Sequence, residues 1–403
     1  MSTIRNIGGT WLAAGLLLAA AASGAQDTVR PEIGKPLQAV QELLKAGKYK
    51  DALARLRETE SVPNRTPYEN YVVDRMRASA ASGAGDDATA LKSFEAVLAS
   101  GRSQGAEKLQ ILEAAAGSAY RAKDYAKAID WAQRYFTDGG TSANMSNLQT
   151  SAHYLSGDYA GVVRDMQQKV QAVERAVPVV DESTLRMLAA SYAKLGDDAG
   201  YVNALEKLLI HHPKKAYWAD MLARVQYKPG FADRLALDVF RLQMVTGTLD
   251  EPAQYVEMAQ LALHRGLPAE AKKVVDAGYA AGKLGGGPEA ERHKRLRDLA
   301  DKQTLEDQKA LATEVIGRHG DALVNSGEAL VTLGRIDQGI EMIEQGIVKG
   351  GLKRPEDAKL HLGIAYFHGG RKDQAIETLK TVRGTDGTSD LARLWAIRAT
   401  RPQ

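Results

Sequence analysis

Residues 362–382, LGIAYFHGGRKDQAIETLKTV, contain two apolar patterns of helical spacing that are separated by glycines. The first pattern includes Gly363 and Tyr366, and the second begins at Ala375. Small side chains at Gly363 and Ala375 would let two neighbouring helices approach closely, and Gly370 marks the turn between them. The stretch therefore predicts a helical hairpin.

The same arrangement recurs along the chain. A small residue near the start of each second helix follows a turn that contains glycine or small polar residues. These positions are 38, 38, 34 and 39 residues apart from Ala52 to Tyr201, and then 70, 68 and 36 residues apart up to Ala375. The two long intervals are each close to twice the period, so each predicts one more hairpin, in residues 217–243 and 288–316. The spacing predicts about ten hairpins, which must stack on one another to bury their apolar faces.

This unit resembles the tetratricopeptide repeat family, whose pattern runs L-G-x-x-Y, then G, then A-x-x-x-F, with a period of roughly 34 residues. Lys359 stands where that family often has Trp, and Leu379 replaces the aromatic residue. The resemblance implies an all-α fold in which helical hairpins form a superhelical solenoid. The residues predicted to form the repeat framework are Gly47, Ala52, Ala90, Ala128, Gly157, Gly196, Gly266, Ala271, Gly334, Gly363, Tyr366, Gly370 and Ala375.

Two other architectures share these features. Sel1-like helical repeats follow the same physics, since their hairpins also need neighbours for stability. An irregular α-helical protein could also contain glycine turns that recur by chance, although eight turns in nearly constant phase argue against it.

The chain contains one notable interruption and one predicted end. Residues 285–288, Gly-Gly-Gly-Pro, are the most flexible point of the sequence and divide the predicted array into residues 26–284 and 285–403. They act either as a hinge or as a long loop within one continuous solenoid. Near the C-terminus, Ser389 is predicted to cap a last helix whose Leu391, Leu394 and Trp395 cover the open end of the solenoid.

The composition excludes several classes of protein. The 403 residues contain no cysteine, so disulfides, cysteine-ligated zinc and thiol catalysis are impossible. A formal charge of +3 argues against dedicated nucleic-acid binding, which needs a strongly basic face. The sequence has neither an HExxH motif nor a P-loop. We therefore predict no cofactor, no metal site and no catalytic residue, and we interpret His361 and His368 as surface or groove residues rather than ligands.

A polar stripe indicates where a partner would bind. In residues 144–154 polar side chains recur at spacings of 3, 4 and 3, and the helical frame of the family would turn them into the concave groove. The neighbouring apolar stripe consists of Met145, Leu148, Ala152 and Leu155. A merely solvated helix face is the alternative for each polar residue. The residues predicted to bind a protein partner are Tyr120, Arg121, Asn144, Asn147, Ser151, Tyr154 and Arg186.

Two functions from different classes follow. The first is a non-catalytic periplasmic scaffold or adaptor that binds a protein partner in the concave groove. Residues 30–37 and 64–71 also look similar to segments of exported proteobacterial repeat proteins, some of which are linked to TonB-type transport assemblies. The alternative is a helical-repeat enzyme or a protein of the envelope that binds a small ligand or a glycan. That alternative needs converging carboxylates, and Glu113, Glu257 and Glu328 lie in repeats too distant to converge. The identity of the partner and the oligomeric state stay open.

Residues 1–25 have the pattern of a secretory signal peptide. Arg5 lies near the start, residues 11–22 form a 12-residue apolar core, and residues 23–25 are small. The core is shorter than the roughly 20 apolar residues that span a bilayer. The sequence therefore predicts export to the periplasm and no membrane span after cleavage.

We predict that the mature protein begins near Gln26, because the small residues 23–25 are suited to cleavage. Mass spectrometry of the protein purified from the cell envelope fraction tests this. A cytoplasmic protein that retains Met1 would contradict the prediction.

Overall fold

The computed structural model describes residues 28–176, 179–313 and 319–401. Within these ranges the chain forms twenty α-helices and no β-strand. The predicted all-α class, built from helical hairpins, is confirmed. The chain divides into two compact units, Met1–Tyr201 and Val202–Gln403. The predicted signal peptide lies outside the described residues.

Four hairpins and a ninth helix make up the described part of the first unit. Consecutive helices pair as α1/α2, α3/α4, α5/α6 and α7/α8, and each hairpin also packs against the helix that follows it. The helices are α1 (Pro31–Lys45), α2 (Tyr49–Leu56), α3 (Pro67–Ala84), α4 (Asp87–Ala99), α5 (Gly105–Arg121), α6 (Tyr125–Thr137), α7 (Ala143–Ser156), α8 (Tyr159–Ala176) and α9 (Glu182–Leu195), and a short 3-10 segment, Arg57–Ser61, follows α2.

A buried carboxylate ties the start of the described chain to α3. Glu69 is fully buried and accepts hydrogen bonds from the backbone N and the Nε and Nη2 atoms of Arg30, at 2.9 to 3.0 Å. Its Oε2 also accepts from the backbone N of Thr66 at 2.8 Å, which completes a capping box at the start of α3. The hydrogen bonds from Arg30 lower the pKa of Glu69 to about 2. Residues 30–37 and 64–71 are therefore held together by this ion pair.

The residues of the predicted repeat framework occupy defined places in the hairpins. The six turn glycines (Gly47, Gly157, Gly196, Gly266, Gly334 and Gly370) have φ values between 68° and 87°. This left-handed conformation is accessible to glycine at no steric cost, which explains glycine at the end of a first helix. The five alanines of the second helices (Ala52, Ala90, Ala128, Ala271 and Ala375) are fully buried. A Cβ atom added to Gly363 would lie 2.5 Å from Cγ of Leu379, so α-helices approach closely there.

The second unit contains the remaining helices. Helix α10 (Asp198–His211) crosses the boundary between the units. The hairpins of the second unit are α11/α12, α13/α14, α16/α17 and α18/α19. The helices are α11 (Lys215–Gln226), α12 (Ala236–Val245), α13 (Pro252–His264), α14 (Pro268–Ala280), α15 (Ala290–Thr313), α16 (Gly320–Thr332), α17 (Ile336–Lys349), α18 (Pro355–His368), α19 (Lys372–Thr381) and α20 (Thr388–Ala399), and a 3-10 segment, Asp233–Leu235, precedes α12.

One of the two additional hairpins is confirmed and the other is wrong. Helices α11 and α12 pack together in the first of the long intervals. In the second, residues 290–313 form the single 24-residue helix α15, which packs against α14. This stretch contains no glycine or proline to interrupt it and consists largely of strong helix formers. Residues 285–288 lie between α14 and α15, inside the second unit, and both predicted roles, a long loop and a hinge, stay open.

The backbones of α16 and α17 are in direct contact. A Cβ atom added to Gly327 would lie 2.7 Å from the carbonyl oxygen of Gly339, and one added to Gly346 would lie 2.7 Å from that of Gly320. Each helix therefore presents two glycines, seven residues apart, to its neighbour. No larger residue fits at these positions without separating the helices.

The last helix differs from its prediction in two respects. It begins at Thr388 after Gly387, and the hydroxyl of Ser389 donates to the carbonyl of Gly384 at 2.7 Å instead of capping the helix. Leu391, Leu394 and Trp395 are buried as predicted. However, α20 does not simply cover an open end, because it packs on α12 as well as on α18 and α19.

Polar contacts join this C-terminal segment to the beginning of the same unit. Lys228 Nζ lies 2.8 Å from Asp390 Oδ2, Arg393 Nε lies 2.5 Å from Glu206 Oε1, and Arg398 Nε donates to the carbonyl of Val245 at 3.3 Å. The second unit is therefore closed upon itself.

We predict opposite effects of adding one methyl group to two helical glycines. Gly327→Ala should lower the melting temperature, because overpacking costs about 1 to 3 kcal/mol. Gly117→Ala in α5 is the matched control, since its Cβ would meet only Nη1 of Arg121, at 3.7 Å. Alanine favours the helix by roughly 0.5 to 1 kcal/mol, so the control should raise the melting temperature. Circular dichroism measures both, and equal shifts would show that the α16/α17 contact is not tight.

Candidate functional site

The predicted partner-binding residues of α7 are mostly free to bind. Asn144, Asn147 and Tyr154 are exposed, while Ser151 is half-buried and donates to the backbone carbonyl of Asn147 at 2.7 Å. The ring of Tyr154 packs edge-on against Tyr159, with centroids 5.7 Å apart. Neither asparagine side chain forms a hydrogen bond to another residue in the described ranges.

The predicted residues of α5 are already engaged within the unit. Nη2 of Arg121 lies 3.0 Å from Oδ1 of Asp87 and donates to the hydroxyls of Ser82 and Ser118 at 3.1 and 2.9 Å. Arg121 thus links α5 to α3 and α4. Tyr120 is half-buried against Tyr125. In α9, Arg186 is exposed and forms no ion pair with the described residues.

Exposed apolar side chains follow this polar stripe along the sequence. Leu155 belongs to the predicted apolar stripe of α7 and is 49% exposed, whereas Met145, Leu148 and Ala152 are buried. Among the described residues of the first unit, every exposed large apolar side chain lies between residues 154 and 195. These side chains are Tyr154, Leu155, Val179, Met187 and Leu195.

The second unit contains a cavity of about 360 Å³. Helices α12, α13, α14, α16, α17 and α18 supply its walls, so it lies within the closed arrangement described above. Its lining residues are Arg241, Met244, Val245, Met258, Glu270, Lys273, Val274, Glu328, Val331, Thr332, Gly334, Ile336, Ile343, His361, Ile364, Ala365 and His368.

Charged residues from four helices meet at one side of this cavity, and we refer to Asp238, Arg241, Glu270, Glu328 and His361 as the buried charge cluster. His361 Nδ1 lies 2.6 Å from Oε1 of Glu328, and Nε2 lies 3.3 Å from Oδ1 of Asp238. Nη1 of Arg241 donates to Asp238 at 2.8 Å, while its Nε and Nη2 donate to Glu270 at 2.7 and 2.6 Å. All the ionised groups therefore have partners of opposite charge.

Burial and charge act in opposite directions on His361. Burial by itself lowers the pKa of an imidazole, but the carboxylates of Glu328 and Asp238 outweigh it and raise the pKa of His361 to about 9. Burial likewise opposes ionisation of Asp238, yet the charges of His361 and Arg241 hold its pKa well below the usual range. His361 and Asp238 are therefore both ionised at neutral pH.

This geometry corrects one interpretation of the sequence and adds a contact that the sequence did not indicate. His361 was expected at the surface or in a groove, but its side chain is only 4% exposed and lies between two carboxylates. Glu328 does meet another carboxylate that the sequence analysis did not consider, because it shares His361 with Asp238, 90 residues earlier in the chain. Sequence spacing could not reveal this, because closure of the second unit brings α12, α16 and α18 together. The carboxylates of the buried charge cluster are all paired with cations.

One catalytic-type pattern in the sequence has a structural role. Residues 101–105, GRSQG, match the G-x-S-x-G pattern of a nucleophile elbow, which requires a preceding β-strand. Here they connect α4 to α5, and the hydroxyl of Ser103 lies 3.1 Å from that of Tyr71 in a buried contact. The described residues also contain no group of three or more His, Asp or Glu side chains arranged to hold a metal ion.

The comparisons with known proteins agree with the hairpin architecture. Residues 75–142 and 324–389 match the tetratricopeptide repeat. Two segments of the chain are thus similar to this family. The first covers helices from α3 to α6, and the second covers helices from α16 to α19. The resemblance to this family predicted from residues 362–382 is confirmed for these two segments.

Other comparisons add little. The chain is similar to the crystal structure of the P58(IPK) TPR domain, with 14% identity over 91% of this chain and 97% of that one, at a TM-score of 0.24. No curated protein matches the chain. In the part of the chain that the structure describes, no helix is long and apolar enough to cross a membrane.

We predict that the free energy of unfolding falls as the pH rises from about 6.5 to about 9. The folded-state pKa of His361 is raised from 6.5 to about 9, so its stabilisation is complete below pH 6.5 and is lost as the pH rises through 9. The loss should reach up to about 3 kcal/mol. Urea unfolding at a series of pH values measures it.

His361→Gln should lose most of this pH dependence, because glutamine does not titrate. His264→Gln, which removes an exposed histidine at the end of α13, serves as the control. The same slope in His361→Gln as in the wild type would contradict the assignment.

Proposed function

We propose that this protein is a non-catalytic scaffold that binds a protein partner on the exposed side of α7 and α9. The tetratricopeptide repeats support the general role, since such repeats offer extended surfaces to other proteins. The observation that carries the location is the concentration of exposed apolar side chains of the first unit in residues 154–195. Exposed apolar groups mark interaction sites when they form one patch rimmed by polar residues, and we propose that these side chains form such a patch.

The side chains at this surface have the chemistry of a protein interface. Tyr, Met and Arg are enriched at such interfaces, and Tyr154, Met187 and Arg186 supply one of each. The amides of Asn144 and Asn147 can donate to and accept from the backbone of an extended peptide. Arg121 and Tyr120 have a lesser part in the proposal, because their side chains are engaged within the first unit.

The proposed absence of catalysis rests on the pairing of the ionised groups. In the buried charge cluster each carboxylate is hydrogen-bonded to a cation, so no free carboxylate is presented to the cavity as a general base. A near-neutral net charge supports a protein rather than a nucleic acid as the partner.

We further propose that the scaffold acts in the periplasm. The signal-peptide pattern of residues 1–25 and the absence of cysteine support export. Participation in an envelope or TonB-type transport assembly rests on the resemblance of residues 30–37 and 64–71 alone.

We predict that a photo-crosslinking amino acid at Asn147 forms a discrete adduct with one protein in cells. The same amino acid at Gln168, exposed on the second helix α8, should not. Tyr154→Ala combined with Arg186→Ala should reduce the adduct at least about tenfold, because each hot-spot residue contributes about 2 kcal/mol. The double variant should stay folded, since surface changes usually cost within about 0.5 kcal/mol.

Gln168→Ala combined with Lys169→Ala on α8 is the matched control and should leave the adduct unchanged. Equal adducts from both positions, or an adduct that survives the double variant, would place the partner elsewhere.

A further inference from the structure

We propose that the cavity of the second unit binds a small amphipathic carboxylate, in which an apolar body carries one anionic group. This site is separate from the partner-binding surface proposed for α7 and α9. Its volume of about 360 Å³ lies within the roughly 300–1,000 Å³ of pockets that hold small molecules.

The walls of the cavity suit an apolar body. Most of the lining side chains are aliphatic or thioether groups, among them Met244, Val245, Met258, Val274 and Ile364. Methionine side chains adapt their shape to a ligand more readily than branched ones. Burying an apolar chain of a ligand against these groups is favourable by about 25 cal/mol per Å² removed from water.

The charges around the cavity favour a ligand with one negative group. In the buried charge cluster, with Arg265 at 3.3 Å from Glu328, three carboxylates face Arg241, Arg265 and the protonated His361, so the charges balance. Lys273 also lines the cavity and adds one positive charge. A monoanionic ligand would neutralise that excess, whereas a cationic ligand would increase it.

The hydrogen-bonding groups that are free in the cavity also favour a negatively charged ligand. Of the polar side chains that line the cavity, the exposed Lys273 and His368 have no hydrogen bond or ion pair to any other described residue. The ammonium of Lys273 can only donate, and the neutral imidazole of His368 can donate from one ring nitrogen. The carboxylates that line the cavity are already occupied, because Arg241 donates to both oxygens of Glu270, and His361 and Arg265 contact the two oxygens of Glu328. The carboxylate acceptors are thus satisfied, while Lys273 and His368 remain available as donors.

Titration calorimetry with octanoate, octan-1-ol and octylamine tests the proposal, because the three probes share an apolar chain and differ in charge. Octanoate should bind at least about tenfold more tightly than octanol, since charge-assisted hydrogen bonds are roughly twice as strong as neutral ones. Octylamine should bind more weakly than both. Equal affinity for the three probes, or no binding of octanoate, would overturn the proposal.

Variants locate the binding within the cavity. Lys273→Gln should weaken octanoate binding about tenfold and leave octanol binding unchanged. Lys272→Gln is the matched control, because the neighbouring lysine pairs with Asp276 and Asp301 and does not line the cavity. Val245→Phe places a larger side chain in the cavity from a half-buried position. It should weaken the binding of both octanoate and octanol.

Circular dichroism melting curves show that each variant is folded before its affinity is compared. Octanoate binding that is equal in the wild type, Lys273→Gln and Val245→Phe would show that the ligand binds elsewhere and would overturn the proposal.

Discussion

The ion pairs of His361 with Asp238 and Glu328 connect three helices, α18, α12 and α16, that lie far apart in the sequence. Charges removed from water are costly unless they are paired, and removing one partner of a buried pair typically costs about 3 to 5 kcal/mol. The positions of these helices are therefore coupled, because none can move away without leaving a buried charge uncompensated. Arg241 extends the same constraint to α14 through Glu270.

The two units use the repeated hairpin differently. In the first unit the polar contacts described above, such as those of Arg30 with Glu69 and of Arg121 with Ser82, span 39 residues, about one repeat. In the second unit, His361 and Asp238 are 123 residues apart, and Arg393 and Glu206 are 187 residues apart. The first unit is thus a stack of neighbouring repeats, while the second returns to its own beginning. The bidentate pair of Arg234 with Asp357, at 2.8 and 2.9 Å, reinforces that return.

This difference accounts for two kinds of candidate site. Stacked hairpins present the exposed sides of their first helices, so the first unit offers a surface with free amides, an arginine and apolar side chains. Closure of the second unit instead forms a cavity, which has apolar walls and the buried charge cluster on one side. Both proposals therefore derive from the same repeated hairpin. A stack that stays open offers a surface, and a stack that closes offers a cavity.

Local sequence determined the helices, their turns and the buried small residues, because a helical period, a left-handed glycine and a close helix contact each depend on residues near one another. It also predicted the polar stripe of α7. It missed the continuity of α15, where glycine and proline are absent, and the exposure of Leu155. Only the tertiary structure decided that Glu328 and His361 meet Asp238, that Arg121 is engaged within its unit, and that α20 packs on α12. Those contacts depend on small rotations between successive hairpins, which add up along the unit and leave no periodic signal in the sequence.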